Sequence, residues 1–338
     1  MHGRERILKA LAHEKTDCLP WMPITMMFAA DNAGLKYLDY ATDYRVLAEA
    51  QVRVAEDYDI DQVSVISDPG REASDCGAIV QYFDNQPPAI DESRARLGDK
   101  AELLTLPMPD PLGGGRMHDR VRGVEALKSR VLDDRLVEGW VEGPCAEASD
   151  LRGINTFMMD LYEDPAFALD LLAFTTELAL RFGRAQIQAG ADIIGVGDAA
   201  ASLIGPQLYD EFVWPQQCAL IRGLREAGAS VRLHVCGNTT SILDGMGKTG
   251  SAMIDLDSPV SMAAARAAMG DEQVLLGNID PVRVLRDGSP RDVSNAIAAC
   301  HRDAGARYIV GAGCEVPRGT PPENLRAMHE YARGHQLS

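Results

Sequence analysis

From residue 135 onward the chain alternates short, mostly apolar runs with longer amphipathic stretches, and no other feature constrains its fold as strongly. Residues 136–141, 192–196, 230–234, 252–256, 273–277 and 307–311 read as strands, and helical periodicity follows each of them. The helices are expected at 145–161 and 165–189, then 206–227, 239–249, 260–269, 290–304 and 321–333. Parallel strands need a crossover of a dozen or more residues, usually a helix, so repeated units of this kind predict a parallel sheet covered on both faces. Two earlier runs bring the strand count to eight: residues 18–24, interrupted by Pro20 and Pro23, and residues 61–67. Helices at 3–12 and 43–58 precede and separate them. The expected architecture is an α/β fold, a (β/α)8 TIM barrel with an N-terminal helical extension; a doubly wound open sheet is the alternative.

Residues 76–132 are less regular, with a hairpin expected near 78–84 and a glycine triplet at 113–115. They read as an insertion over the barrel, so residues 1–338 form a single domain. With 46% hydrophobic residues the chain can bury a large core, yet it holds no apolar run of about 18 residues that would suggest a membrane span. The opening Met1-His2-Gly3-Arg4-Glu5-Arg6 leads into an amphipathic stretch without the apolar core of a signal peptide, which fits a cytoplasmic setting. Seven scattered cysteines do not form a disulfide framework and are mostly expected as small core residues. A formal charge of −17 repels phosphate backbones, so neither nucleic acid nor membrane is expected as a partner.

Barrel active sites sit at the carboxyl ends of the strands. Those ends carry Ser67 and Asp68, Glu142, Asp198, His234 and Cys236, Asp255 and Asp257, Asn278 and Asp280, and Cys314. Helix capping explains part of this series, with Asp280 before Pro281 and Asp257 before Ser258-Pro259 the clearest cases. His234 and Cys236 are two apart on a strand, so both side chains leave the same face and can reach one ion at about 2.0–2.3 Å. Cys314 follows the last strand and adds a third donor if the loops meet above the barrel centre. One imidazole and two thiolates suit zinc and leave a fourth position open; a His-x-Cys pair is also common in plain packing, and the residues alone leave both readings open. Glu142, Asp198 and Asp257 stand as candidate catalytic groups, with Asp255, for a fourth ligand or for proton handling. Glu315 is read as orienting Cys314, and Met26, Met27 and Phe28 as either an apolar substrate wall or core.

Several segments carry a resemblance. They are Arg4-Glu5-Arg6 with Leu8-Lys9-Ala10-Leu11, Ser67-Asp68-Pro69 with Arg71-Glu72-Ala73, and Asp198-Ala199-Ala200-Ala201-Ser202. The strongest are His234-Val-Cys-Gly-Asn-Thr239, Leu276-Gly-Asn-Ile-Asp-Pro281, and Gly313-Cys-Glu-Val-Pro317 through Gly319-Thr-Pro-Pro-Glu-Asn324. Over nearly its full length the chain resembles the uroporphyrinogen decarboxylase superfamily, and within it the zinc-dependent, corrinoid-linked methyltransferases. The resemblance implies a (β/α)8 barrel with Zn2+ bound by His234, Cys236 and Cys314. It also implies methyl transfer between a zinc-bound heteroatom of a small molecule (thiol, ether or similar) and a corrinoid, methylcobamide or cob(I)amide, on a partner protein. The decarboxylase branch fits poorly: its arginine-rich N-terminal motif is replaced here by the apolar Pro23-Ile-Thr-Met-Met-Phe-Ala29. Two rival readings are a zinc-free tetrapyrrole decarboxylase using Asp68 or Asp198, and a non-catalytic structural zinc protein. Structural zinc normally has four protein ligands, and no further cysteine follows a strand with a matching loop.

Overall fold

A computed structural model describes residues 1–336. After β1 (Gln62–Ser64) the chain leaves the sheet as an antiparallel hairpin, β2 (Val80–Phe83) and β3 (Gln86–Ile90). It returns through β4 (Leu136–Glu142), β5 (Ile193–Gly197), β6 (Ser230–Val235), β7 (Met253–Leu256), β8 (Val274–Leu276) and β9 (Tyr308–Ile309). Seven strands pair in the order β1-β4-β5-β6-β7-β8-β9, every pair parallel and each joined to the next in chain order.

The segment Pro20 to Ile24 closes this curl. On one side Met22 N–H donates to the Val310 carbonyl at 3.0 Å and Val310 N–H to Pro20 at 2.9 Å; on the other Asp61 N–H donates to Trp21 at 3.3 Å. The eighth stave expected at 18–24 is therefore present, but only as the isolated parallel bridges Trp21–Val310 and Ile24–Glu315. Pro20 and Pro23 bring no N–H, so a continuous ladder cannot form there. The uniform strand order and this closure describe a (β/α)8 barrel and leave no place for the doubly wound alternative, whose strand order must reverse.

Most helices fall where periodicity puts them, from Gly3–Leu11 and Tyr44–Tyr58 to Pro165–Gln188 and Pro290–Ala304. The helix expected at 145–161 is two, Pro144–Arg152 and Ile154–Glu163, because Gly153 sits between them at φ 85°. Within the insertion over 76–132, the last part, Arg116–Val131, is a regular helix that packs on Tyr44–Tyr58 and β4. Apolar side chains fill the space between strands and helices, whereas the barrel interior also holds the charged Glu138, Arg232 and Asp255, each fully buried. Among the described residues, no helix is long and apolar enough to cross a membrane.

Candidate active site

Parallel pairing lines up one row of residues at the carboxyl ends of four strands. Glu142 on β4 is opposite Gly197 on β5, Gly197 is opposite His234 on β6, and His234 is opposite Asp255 on β7. Cys236 follows His234 just beyond β6. Cys314 arrives from the loop after β9, which is held in place by Val316 N–H donating to the Ile24 carbonyl at 2.7 Å. The donor atoms of His234, Cys236 and Cys314 all lie within 4.8 Å of one another, and the His234 Nε2 is 3.1 Å from the Cys236 sulfur. Loops over the barrel mouth thus bring together three soft donors from two distant segments.

Which nitrogen faces the sulfurs is decided beneath them. His234 Nδ1 lies 3.0 Å from the Asp255 carboxylate and 3.2 Å from its carbonyl, so Nδ1 carries a proton and Nε2 is the ligand atom turned toward the two sulfurs. Asp255 is in turn held by Arg232 Nη2 at 2.7 Å and Nε at 3.1 Å, and Arg232 reaches Glu138 at 3.1 Å. Burial raises the Asp255 pKa, but Arg232 and His234 outweigh it and keep the carboxylate below its ordinary value. Burial lowers His234, and Asp255 with Cys236 more than reverses this. The two sulfurs share a proton: the hydrogen bond from Cys236 brings Cys314 down to about 5, while Cys236 itself is pushed up. A proton-sharing His-Cys-Cys set, its imidazole buried and its thiols half-buried, is a fit host for a divalent cation such as zinc, which replaces those protons on binding. Among the described residues no fourth histidine, cysteine or carboxylate joins the group.

The three donors open into a cavity of about 310 Å³. Ile24, Met26, Ile66 and Trp140 form its apolar side, and Asp68, Glu142 and Glu315 bring carboxylates to its wall. A larger open cleft, about 570 Å³, lies at the opposite end of the barrel against the start of β6, away from this donor set. The Trp140 ring lies across β5, where Gly195 and Gly197 present no Cβ; a Cβ on Gly195 would stand 2.2 Å from the ring. Glu142 accepts from Arg71 Nη2 at 2.7 Å, and burial, opposed by Arg71, pushes it up to about 8. Burial and then Cys314 do the same to Glu315, also to about 8.

The other nominated groups are placed elsewhere. Asp198 is fully buried and both its oxygens are occupied, one by Ala146 N–H and one by Gln217, each at 2.7 Å. Burial raises it to about 6, and it stands at the start of helix Pro144–Arg152 without lining the cavity. Asp257 accepts from Gly237 N–H and Ser258 N–H, both at 2.6 Å, and so fixes the turn just after Cys236. Asp280 caps the turn after it through Val282 and Arg283, as its position before Pro281 suggests. Of the Met26-Met27-Phe28 run, Met26 lines the cavity and Phe28 is core. Trp140, Arg71 and Arg232 were not singled out as site residues by sequence. A charged residue two before His234 on the same strand face is the one signal that could have pointed to Arg232.

The uroporphyrinogen decarboxylase (URO-D) family model matches residues 2–335. Over 340 residues the chain is 27% identical to the methylcobamide:CoM methyltransferase MtbA of Methanosarcina mazei, covering 98% of each chain. It is 26% identical over 342 residues to the methylcobamide:CoM methyltransferase MtaA of Methanosarcina barkeri, covering 96% of each. Among solved structures, a methyltransferase from Methanosarcina mazei superposes with a TM-score of 0.90 at 21% identity, over 99% of this chain and 98% of that one, which establishes the fold.

Proposed function

The chain belongs to the uroporphyrinogen decarboxylase family, and on that footing we propose that it is a zinc-dependent methyltransferase. It moves a methyl group between a heteroatom of a small molecule and a corrinoid, methylcobamide or cob(I)amide, carried by a partner protein. The convergence of His234, Cys236 and Cys314 at the cavity carries this reading, and the full-length similarity to two methylcobamide:CoM methyltransferases supports the corrinoid side of it. His234 Nε2 and the sulfurs of Cys236 and Cys314 would hold the zinc. Bound in such an open set, zinc supplies Lewis acidity that makes a thiol sulfur nucleophilic near neutral pH or a heteroatom a better leaving group.

The protein's own groups do the rest. Asp255 keeps the proton on His234 Nδ1 and so keeps Nε2 available. Trp140, Ile24, Met26 and Ile66 exclude water from the path of the methyl carbon. Glu142, tied to Arg71, is the cavity carboxyl best placed to hold or release a proton at its second oxygen. Asp198 and Asp257 act through other residues, Asp257 by fixing the turn that carries Cys236.

Two rival readings have less support. A porphyrinogen carries many carboxylates, yet no arginine or lysine lines the cavity. A structural zinc would ask for a fourth protein ligand, and the donor group has three members. Purified protein is expected to hold about one zinc per chain and to interconvert cob(I)alamin and methylcobalamin in the presence of a suitable methyl donor or thiol, followed by absorbance. His234→Ala and Cys314→Ala should each lose most of the metal and at least about 100-fold in methyl transfer. If both variants kept stoichiometric zinc and full transfer, the zinc reading would be wrong.

A further inference from the structure

The walls of the cavity constrain the charge of what enters it. Its polar lining beyond the His-Cys-Cys set is acidic, with Asp68, Glu142 and Glu315, and neither lysine nor arginine lines it. The guanidinium groups behind the wall are already claimed. Arg71 lies between Glu142 at 2.7 Å and Glu72 at 3.3 Å, and Arg116 donates to Asp68 at 2.7 Å. Below the floor Arg232 is held by Glu138 and Asp255, and at the rim Arg318 pairs with Asp31. Arg71 Nη1 and Arg116 Nε have no partner, but both atoms are buried and neither side chain lines the cavity. Nearby Glu147 is a further buried acid, with both carboxyl oxygens unpartnered.

Resting on the reading of the His-Cys-Cys set as a zinc site for methyl transfer, we propose that the methyl donor or acceptor taken by this cavity carries no anionic group: its non-reacting end is uncharged or cationic. Two thiolates neutralise a divalent ion, so a third sulfur bound as thiolate already leaves one net negative charge. A second anion two carbons away, such as a sulfonate or carboxylate, would then be stripped of water between apolar walls and carboxyl groups with no cation to meet it. A hydroxyl keeps its hydrogen bonds with those carboxyl groups, and an ammonium gains charge-assisted ones.

Three thiols of equal length test this: cysteamine, 2-mercaptoethanol and 2-mercaptoethanesulfonate. Each is titrated into cobalt(II)-substituted protein at fixed ionic strength, and binding is read from the thiolate-to-cobalt absorption, corrected for the ionisation of each free thiol. Cysteamine and 2-mercaptoethanol should each bind at least about tenfold more tightly than the sulfonate. Metal uptake with a smaller separation, or with the sulfonate preferred, overturns this inference alone. Protein that takes up no metal, or that responds to none of the three thiols, overturns the zinc reading and this inference with it. Glu142→Gln keeps an oxygen for Arg71 but removes the acidic group from the wall, and should narrow the gap between cysteamine and the sulfonate. An unchanged ratio in a folded Glu142→Gln protein would remove the acidic wall as the cause, and the wild-type series stands should that variant not fold.

Discussion

His234 works as a ligand only while its Nε2 lone pair faces Cys236 and Cys314, and a single carboxylate beneath it enforces that orientation. Asp255→Asn keeps the shape but removes the charge that both His234 and Arg232 lean on. Zinc affinity in this variant is expected to fall about 10- to 100-fold, measured by competition with a chromophoric chelator on protein shown to be folded by circular dichroism. Wild-type affinity would mean that Asp255 does not set the imidazole. The residue-level legibility of this site follows from the same contrast. His234 and Cys236 can be read because alternation along one strand puts both on one face, and Cys314 because it stands at another strand's end. The role of Asp255 cannot, because the register of β6 against β7 is written in neither strand alone. Asp198 shows the converse: a strand-end carboxylate looks catalytic by position, yet its oxygens turn to the N–H of Ala146 and to Gln217. Position along the strand does not say which way a side chain at its end will turn.

At the level of elements, the floor of the cavity depends on what β5 lacks. Trp140 on β4 and Arg232 on β6 flank Gly195, and the indole occupies the space where a Cβ would be. Gly195→Ala must displace that ring or spread the strands. The expected cost is about 1–3 kcal/mol in thermal or denaturant unfolding, with a change in the emission of Trp140 read in a background lacking Trp21 and Trp214. An unaltered melting curve and emission would show that the ring gives way freely. A glycine in a strand signals a close approach without naming the side chain that makes it. The strands from β4 onward are legible because each is a short, mostly apolar run set between helical stretches, and the helices after them because apolar spacing has the helical period. The stave at 18–24 is harder, since its prolines remove the ladder that defines a strand. Helix Met26–Ala33 is hidden for another reason: its apolar residues pack on more than one side, so no polar face marks the period.

Across the whole molecule, stability should carry the mark of acids buried together. Glu72 and Glu142, on helix Gly70–Asp75 and the end of β4, face Glu147 and Asp150 on the next helix, with Arg71 among them. Burial raises all four carboxyl groups, with Glu142 pushed up to about 8 and Glu147 and Asp150 raised well above their ordinary values. No stretch of sequence foretells this set, which is assembled from three elements. A carboxyl group whose folded pKa lies above its unfolded value of 4.5 binds more protons folded than unfolded between the two, so its contribution to stability is lost as pH rises through that window. The metal centre must be separated from this effect. In metal-free protein His234 is raised and Cys314 lowered, so the proton the imidazole gains on folding offsets the one the thiol loses. Zinc adds a slope in the opposite sense, because its ligands must lose protons to bind it. The measurement therefore uses chelator-treated protein melted between pH 6.5 and pH 8. Its midpoint should fall as pH rises, and Glu147→Gln should flatten the fall and raise the midpoint at pH 8, since a neutral amide needs no proton to stay buried. A midpoint that stays level or climbs in the metal-free protein would mean that these carboxyl groups are not held protonated by the fold.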